Sequence, residues 1–314
     1  MTQLRTTIFS LVIAGLAAGS SAEDLYAIRD GGKLSYLNMA LGEETLIGHT
    51  SVQRASSLDM GPDGMLYMHS RPNSAISPAR LYQVDPGNAS ATLISDLGYG
   101  FELEGGLTIR DDGMAYLVGG RSNGSSFESA IFLVDLSTGV STEIGILDIL
   151  DINGLTLRSD GMLVAWNQYM PGPFTIDPDT METEILSEEV GNIFSFRPIG
   201  GMESADQEVA LIIASHFVTE GNSPPAMAFS LDMYSGELKF LSEFEGDLLI
   251  TGIASVDSPC PADLNMDGTI NFFDVSEFLS AFAAMDLASD FNKDGTLNFF
   301  DIAAFLTVFS EGCP

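Results

Sequence analysis

The sequence predicts a mainly β protein: a five-bladed β-propeller followed by a small α-helical domain that carries two calcium-binding loops. Three observations support this prediction. A segment with an Asp-Gly turn recurs at intervals of 49 and 48 residues, marked by Gly64, Gly113 and Gly161. The segment 251–258 resembles the first strand of these repeats, although it lies beyond the last of them. A twelve-residue motif, "DLNMDGTINFFD", returns 27 positions later as "DFNKDGTLNFFD".

Residues 1–22 are expected to form a secretory signal peptide. Arg5 precedes an apolar run from Ile8 to Ala18, and small residues follow as far as Ala22. A membrane anchor is the alternative, but the run is too short to span a bilayer. We therefore expect a protein that is secreted or held at the cell surface, with no membrane span.

The composition narrows the range of partners. The chain has 44 acidic and 12 basic residues, and its formal net charge is −32. Because the sequence has no basic stripe, nucleic acids and anionic membranes are poor partners. A surface this acidic suits divalent cations or basic partners, although solubility alone also explains it.

Residues 23–257 are predicted to form the propeller. After each Asp-Gly segment a second apolar run reaches a turn at Asp85, Asp135 or Asp177, and another strand follows. The alternation of apolar residues favours strands. Each unit of roughly 40–50 residues therefore has the four strands of a propeller blade. The matching Asp-Gly segments are "SSLDMGPDGMLYMHS" (56–70), "GGLTIRDDGMAYLVG" (105–119) and "NGLTLRSDGMLVAWN" (153–167).

The two ends of this region predict how the ring closes. The segment that begins at residue 23 matches a blade without its first strand, with Leu25 in the position of Leu66. The missing strand is supplied by "TGIASVDS" at 251–258. Closure by this strand gives five blades and leaves no exposed sheet edge at the seam. A six-bladed ring and an open sandwich are the alternatives.

The duplicated motif has the spacing of a calcium-binding loop. Ca²⁺ takes about six to eight oxygen ligands, and such a loop supplies them from positions 1, 3, 5, 7, 9 and 12, with glycine at position 6. Gly268 and Gly295 occupy position 6. Two Ca²⁺ ions are therefore predicted, and an Asx-rich turn without metal is the alternative. The predicted ligands are Asp263, Asn265, Asp267, Thr269, Asn271 and Asp274 in the first loop, and Asp290, Asn292, Asp294, Thr296, Asn298 and Asp301 in the second.

Each loop runs into one short predicted helix, "FFDVSEFLSAFAAM" or "FFDIAAFLTVFSEG". The two helices repeat an apolar stripe, which we expect to form their shared core. The stripe consists of Phe278, Leu279 and Phe282 in the first helix, and Phe305, Leu306 and Phe309 in the second.

The chain has two cysteines, Cys260 and Cys313, which bracket the duplicated segment. A disulfide between them is expected in an exported, oxidising setting. In the chain-entropy account of loop closure it would stabilise the folded state by ~4 kcal/mol. Two free thiols are the alternative.

The segment 260–314 resembles a type I dockerin of the GC-type variety. The resemblance rests on the tandem "DxNxDGxxNxxD" loops, each followed by one helix, and on the flanking "CP" and "GCP". It implies a module, 258–314, that folds with Ca²⁺ and docks on a cohesin-like or other cell-surface protein, in assemblies that often degrade carbohydrates. The preceding region resembles a bacterial β-propeller more weakly.

The ends of the second strands and the loops after them are predicted to form the ligand face of the propeller. A solvated loop surface without a ligand is the plainer interpretation. The candidate residues on this face are His69, Arg71, Arg121, Trp166, Asn167 and His216.

Two functions of different class are compatible with these features. The first is a non-catalytic exported binding or scaffold protein, attached to a partner through the calcium-dependent module. The second is an exported hydrolase or lyase that acts on a polysaccharide or lactone from the ligand face. The sequence has no metalloprotease, nucleophile-elbow or phosphate-loop motif. Its single Trp argues against a row of aromatic sugar platforms. Binding is therefore favoured, with carbohydrate as one candidate ligand.

Overall fold

A computed structural model describes the chain from Asp24 to Glu311, with gaps. The predicted signal peptide lies outside the described residues. The gaps are residue 30, 72–77, 98–104, residue 111, 123–126, 150–151, 168–171, 188–195, 205–207, 217–225, 245–249, 257–261, 263–270, 284–288, residue 290 and 292–296.

The described part of the propeller region consists of short strands, as the alternating apolar pattern predicts. Along the chain they are β1 (Leu25–Arg29), β2 (Lys33–Asn38), β3 (Glu43–His49), β4 (Asp59–Met60), β5 (Leu66–Ser70), β6 (Arg80–Val84), β7 (Ala91–Asp96), β8 (Gly105–Ile109), β9 (Met114–Ser122), β10 (Phe127–Asp135), β11 (Ser141–Leu147), β12 (Ile152–Leu157), β13 (Leu163–Asn167), β14 (Phe174–Ile176), β15 (Thr183–Ile185), β16 (Phe196–Ser204), β17 (Val209–His216), β18 (Ala226–Asp232), β19 (Leu238–Phe244) and β20 (Ile250–Ser255).

These strands form five antiparallel four-stranded sheets, which are the blades. Blade 1 has the order β20-β1-β2-β3, and blades 2 to 5 are β4–β7, β8–β11, β12–β15 and β16–β19. The first strands contact one another in the ring order β20, β4, β8, β12, β16 and back to β20. The prediction of a five-bladed ring is confirmed, and the six-bladed alternative is wrong.

The ring is sealed where β20 pairs antiparallel with β1, two strands from opposite ends of the propeller region. The Val256 N–H donates to the Asp24 carbonyl at 2.9 Å. The equivalent bond in blade 3 runs from the Arg110 N–H to the Met114 carbonyl, at 2.8 Å, inside the β8–β9 hairpin. The seam therefore has the hydrogen bonding of a hairpin without its connecting turn.

An apolar cluster fills each of the five gaps between neighbouring blades. Both faces of a blade are covered, so a strand such as β5 is buried at every position. Trp166 lies between blades 4 and 5, and Phe132 lies between blades 2 and 3. Burial of each large apolar side chain contributes roughly 1.5–3 kcal/mol, which makes these clusters the main source of propeller stability.

The turn between the third and fourth strands is built the same way in all five blades. It begins at Asn38, Asp85, Asp135, Asp177 or Asp232, whose carbonyl accepts the N–H of the residue four positions later. The side-chain oxygen of the same residue accepts an N–H two or three positions later. The fifth residue of each turn has a positive φ between 62° and 74°. The recurring Asp therefore serves the turn.

Two helices follow the propeller region, α1 (Phe272–Ala283) and α2 (Phe299–Glu311), as predicted. Their shared core is aromatic. The Phe278 and Phe305 rings stack with centroids 4.2 Å apart, and Phe291 meets both rings edge-on.

The predicted helical stripe needs one correction. Leu279 and Leu306 were expected in the core, but they are 51% and 49% exposed. Each follows a buried Phe by one residue, which turns it about 100° around the helix and away from the partner helix. Neither described helix has the length and apolarity to cross a bilayer.

Candidate functional site

The two described loop ends are near copies in structure as well as in sequence. Asn271 Oδ1 accepts the Phe273 N–H at 2.8 Å, and Asp274 Oδ2 accepts the Asn271 N–H at 2.8 Å. Asn298 and Asp301 make the same two bonds in the second copy, at 2.8 Å and 2.7 Å. Each pair caps its helix reciprocally, with the carboxylate in the first helical turn.

Both carboxylates at loop position 12, Asp274 and Asp301, are fully buried. A buried carboxylate costs several kcal/mol unless hydrogen bonds or a cation compensate for it. The oxygen donors of Asn271, Asp274, Asn298 and Asp301 therefore fit the last third of a Ca²⁺ ligand set.

The rest of the predicted calcium site lies outside the described residues. Within the described residues, no group of three or more His, Cys, Asp or Glu is placed to hold a metal ion. Cys260 and Cys313 also lie outside them. The predicted ligands without a described position are Asp263, Asn265, Asp267, Thr269, Asp290, Asn292, Asp294 and Thr296.

The predicted ligand face of the propeller needs a larger correction. His69, Trp166 and Asn167 were expected on the surface of that face, but they are buried at 0%, 2% and 2% exposure. The reason is their register: His69 and Trp166 take the core position that Val118 occupies in blade 3. The buried part of β5 and β13 therefore extends further along each strand than the loop-like sequence after it suggested.

The other three candidates are placed as expected along the chain. Arg71 follows β5 and is partly exposed. Arg121 lies near the end of β9 and His216 is the last residue of β17, both second strands of their blades. The side chains of Arg121 and His216 are outside the part of the chain that the structure describes, so their role as ligand residues stays a prediction.

A buried Ser–His pair occupies the blade 2 position where other blades have Gly opposite an apolar residue. Ser57 Oγ lies 2.5 Å from His69 Nδ1, whereas blade 3 has Gly106 opposite Val118. Burial, assisted by Arg71, lowers the pKa of His69 to about 3. The pair has the distance of a nucleophile and its base, but a fully buried, neutral His69 is a weak base out of reach of a substrate.

We expect this pair to destabilise the propeller in acid. The folded pKa of His69 lies below its ordinary value, so the unfolded chain binds more protons between pH 6.5 and about 3. The free energy of unfolding therefore decreases as the pH is lowered through this window, by about 1.4 kcal/mol per pH unit. The double variant Ser57→Gly/His69→Val recreates the blade 3 pair. Its free energy of unfolding, measured with denaturant at several pH values, should change with pH less steeply than that of the parent, by that amount per pH unit.

The matched control is His49→Asn, because His49 is exposed on β3. Its unfolding free energy should follow the parent at every pH. Parallel curves for the parent and the Ser57→Gly/His69→Val variant would show that His69 is not the acid-sensitive group.

A cavity opens on the opposite face of the propeller. It has a volume of about 870 Å³ and lies at the mouth of the central channel, between blades 2, 3 and 4. Its size is in the range of small-molecule sites. Its polar lining includes Asp59, Thr108, Arg110, Asp112, Arg158 and Asp160.

Hydrogen bonds fix the charged side chains of this cavity. Arg158 binds both oxygens of Asp160, at 2.9 Å and 2.8 Å, and is the main cause of the lowered pKa of Asp160. Arg110 pairs with Asp112 at 2.7 Å. Asp59 Oδ2 accepts an N–H from the neighbouring first strand at 2.6 Å. The mouth thus presents preset carboxylates and guanidinium groups, which suit a polar ligand.

Sequence reasoning missed this cavity. Its signal was the repeated Arg-x-Asp-Gly of the two turns at 110–113 and 158–161. That pattern was interpreted as turn chemistry alone, because a single sequence does not show that two turns converge on one channel mouth.

No family model matches the chain, and no curated protein matches it. Among solved structures, it is similar to a chain of a nidogen/laminin complex, with a TM-score of 0.47 and 13% identity over 74% of this chain and 97% of that chain. It is also similar to TolB from Acinetobacter baumannii, with a TM-score of 0.45 and 16% identity over 72% of this chain and 54% of that chain. These similarities concern the fold alone.

Proposed function

We propose that this is an exported binding protein whose propeller presents a ligand site and whose C-terminal module attaches it to a partner in a Ca²⁺-dependent manner. The observation that carries the proposal is the pair of fully buried carboxylates, Asp274 and Asp301, at the ends of two near-identical loops. Ca²⁺ supplies the positive charge that lets such loops fold. A Cys260–Cys313 disulfide is expected to close the module.

The two helices offer an apolar surface to a partner. Phe272, Phe273, Phe299 and Phe300 are each at least 68% exposed. Large exposed apolar side chains in a group mark interaction sites more often than inert surface. The two Phe pairs stand at the same positions of the two repeats, so a partner has two equivalent ways to bind, related by the internal repeat.

The propeller supplies the ligand-binding part of the proposal. The channel-mouth cavity has the volume and the fixed polar groups of a binding site. The one described Ser–His pair is buried away from solvent. Binding is therefore the better supported role.

The docking surface is tested with the full chain and an immobilised type I cohesin. We expect binding with Ca²⁺ and release with chelator. Phe273→Ala alone should retain near-parental affinity because the second copy can substitute, whereas Phe273→Ala/Phe300→Ala should weaken binding at least tenfold. Glu277→Gln, an exposed change on α1, is the matched control and should bind like the parent.

Two results would count against this docking. Binding that persists in chelator would separate it from the calcium loops. A double Phe variant with parental affinity would place the partner on another surface.

A further inference from the structure

A second, smaller cavity lies between blades 1 and 2, on the face where the second strands end. Its volume is about 370 Å³. One wall is formed by residues 50–53, at the start of the segment that joins β3 to β4, and the other by residues at the end of β5 and within β6. The polar side chains that line it include Thr50, Ser51, Gln53, Arg71, Arg80 and Tyr82.

The charge of this lining is opposite to that of the protein. The whole chain has 44 acidic and 12 basic residues, yet the described residues of the lining include two arginines and no acidic residue. Arg80 pairs with Asp96, which lies outside the lining, through Nε at 2.8 Å. A guanidinium has five N–H donors, so a bond through Nε leaves donors for a ligand. Asp96 compensates part of the positive charge, and the lining stays basic.

The segment that joins β3 to β4, which supplies one wall of the cavity, is strained. Ser51 in the wall and Arg54 just beyond it have φ values of 61° and 58°, in the left-handed region that favours glycine. The other two described non-glycine residues with positive φ, Ala89 and Met181, occupy the repeated turn position where other blades have glycine. Ser51 and Arg54 lie outside that repeated turn, so their conformation belongs to this segment and not to the turn.

Hydrogen bonds hold the strained segment in place. The Thr50 N–H and Oγ1 donate to the Gly32 carbonyl at 2.8 Å and 3.0 Å. The Val52 N–H donates to Thr50 Oγ1 at 3.2 Å, and the Arg71 N–H donates to the Arg54 carbonyl at 2.9 Å. Strained backbone persists where its surroundings over-determine it, and such places concentrate at ligand sites. The wall is therefore preset before a ligand arrives.

We propose that this cavity binds an oxyanion group, a carboxylate or a tetrahedral oxyanion such as phosphate or sulfate, of a small polar ligand. The inference rests on the proposed role of the propeller as a binding domain. Arg71 and Arg80 supply the guanidinium groups, which suit oxyanions because their planar N–H donors match two oxygens at once. The hydroxyl group of Ser51 and the amide of Gln53 add neutral donors.

The test is calorimetric titration of the full chain with sodium phosphate and, separately, sodium acetate, at matched ionic strength in chloride. We expect millimolar or tighter binding of at least one anion, and the better one identifies a tetrahedral or planar ligand group. Arg71→Gln and Arg80→Gln should each weaken it at least tenfold. Arg80→Gln/Asp96→Asn, which leaves no unpaired acid behind, should behave like Arg80→Gln.

The control is Lys239→Gln, an exposed change on β19 of blade 5 that lines neither cavity and should bind the anion like the parent. Absence of binding in the parent, equal affinity in Arg71→Gln, or an equal loss in Lys239→Gln would overturn the proposal. Failure here is distinguishable from failure of the proposed function, because the cohesin experiment reports on the C-terminal module and is independent of these variants.

Discussion

Truncation after Phe244 is expected to unfold the propeller, whereas truncation after residue 257 should leave it folded. The shorter chain loses β20, whose Ile250 and Ile253 are almost fully buried in the cluster between blades 1 and 5. Each isoleucine contributes roughly 1.5–3 kcal/mol. The loss also removes the ladder to β1 and leaves that edge of β1 unpaired. Together these losses are a large part of a net stability of about 5–15 kcal/mol.

Thermal unfolding followed by Trp166 fluorescence is the measurement, since Trp166 is the only Trp and is buried between blades 4 and 5. The chain that ends at residue 257 is the control, because it keeps β20 and lacks only the C-terminal module, 258–314. Equal melting temperatures for the two truncated chains would contradict closure of the ring by β20.

Removal of Ca²⁺ is the second large effect, and it is expected to unfold α1 and α2. Six loop carboxylates, Asp274 and Asp301 among them, would repel one another without a cation. Ca²⁺ at a hundred times its dissociation constant stabilises by about 2.7 kcal/mol per site. Two sites therefore supply a free energy of the order of the stability of a small domain. Chelator should abolish the helical circular dichroism and spare the β signal.

Single variants divide this effect between the loops. Asp274→Ala and Asp301→Ala should each lower the unfolding midpoint of the helices in Ca²⁺ by more than the loss of a cap worth about 1 kcal/mol explains, and in chelator both should lack the helical signal, as the parent does. Glu277→Gln should resemble the parent in both conditions. Helical signal that survives chelation in the parent would show that aromatic stacking alone folds the helices.

The propeller was predictable because its repeats fix the register. The Asp-Gly turns locate Gly64, Gly113 and Gly161, and all three have the positive φ such turns need. Closure was also visible, because a strand-like segment at 251–258 matched the one strand that blade 1 lacked. In each case the signal is local chemistry repeated at a fixed spacing.

The ligand face was harder to predict, because burial near strand ends depends on neighbouring blades. His69 and Trp166 are polar or amphipathic residues beside loop-like sequence, and only the opposing blade determines that they are core. The channel-mouth cavity combines turns about fifty residues apart, and the anion cavity combines β3–β4 with β5–β6. A single sequence does not show which distant segments meet in the folded chain.

Calorimetric titration of the full chain with Ca²⁺ is the decisive measurement for the calcium-dependent module. We expect two ions per chain in the parent, one in Asp274→Ala, one in Asp301→Ala and none in the double variant. We also expect two ions in Arg71→Gln, because the propeller and the calcium loops act separately. A parent that binds no Ca²⁺, or a double variant that still binds two ions, would contradict the proposed module.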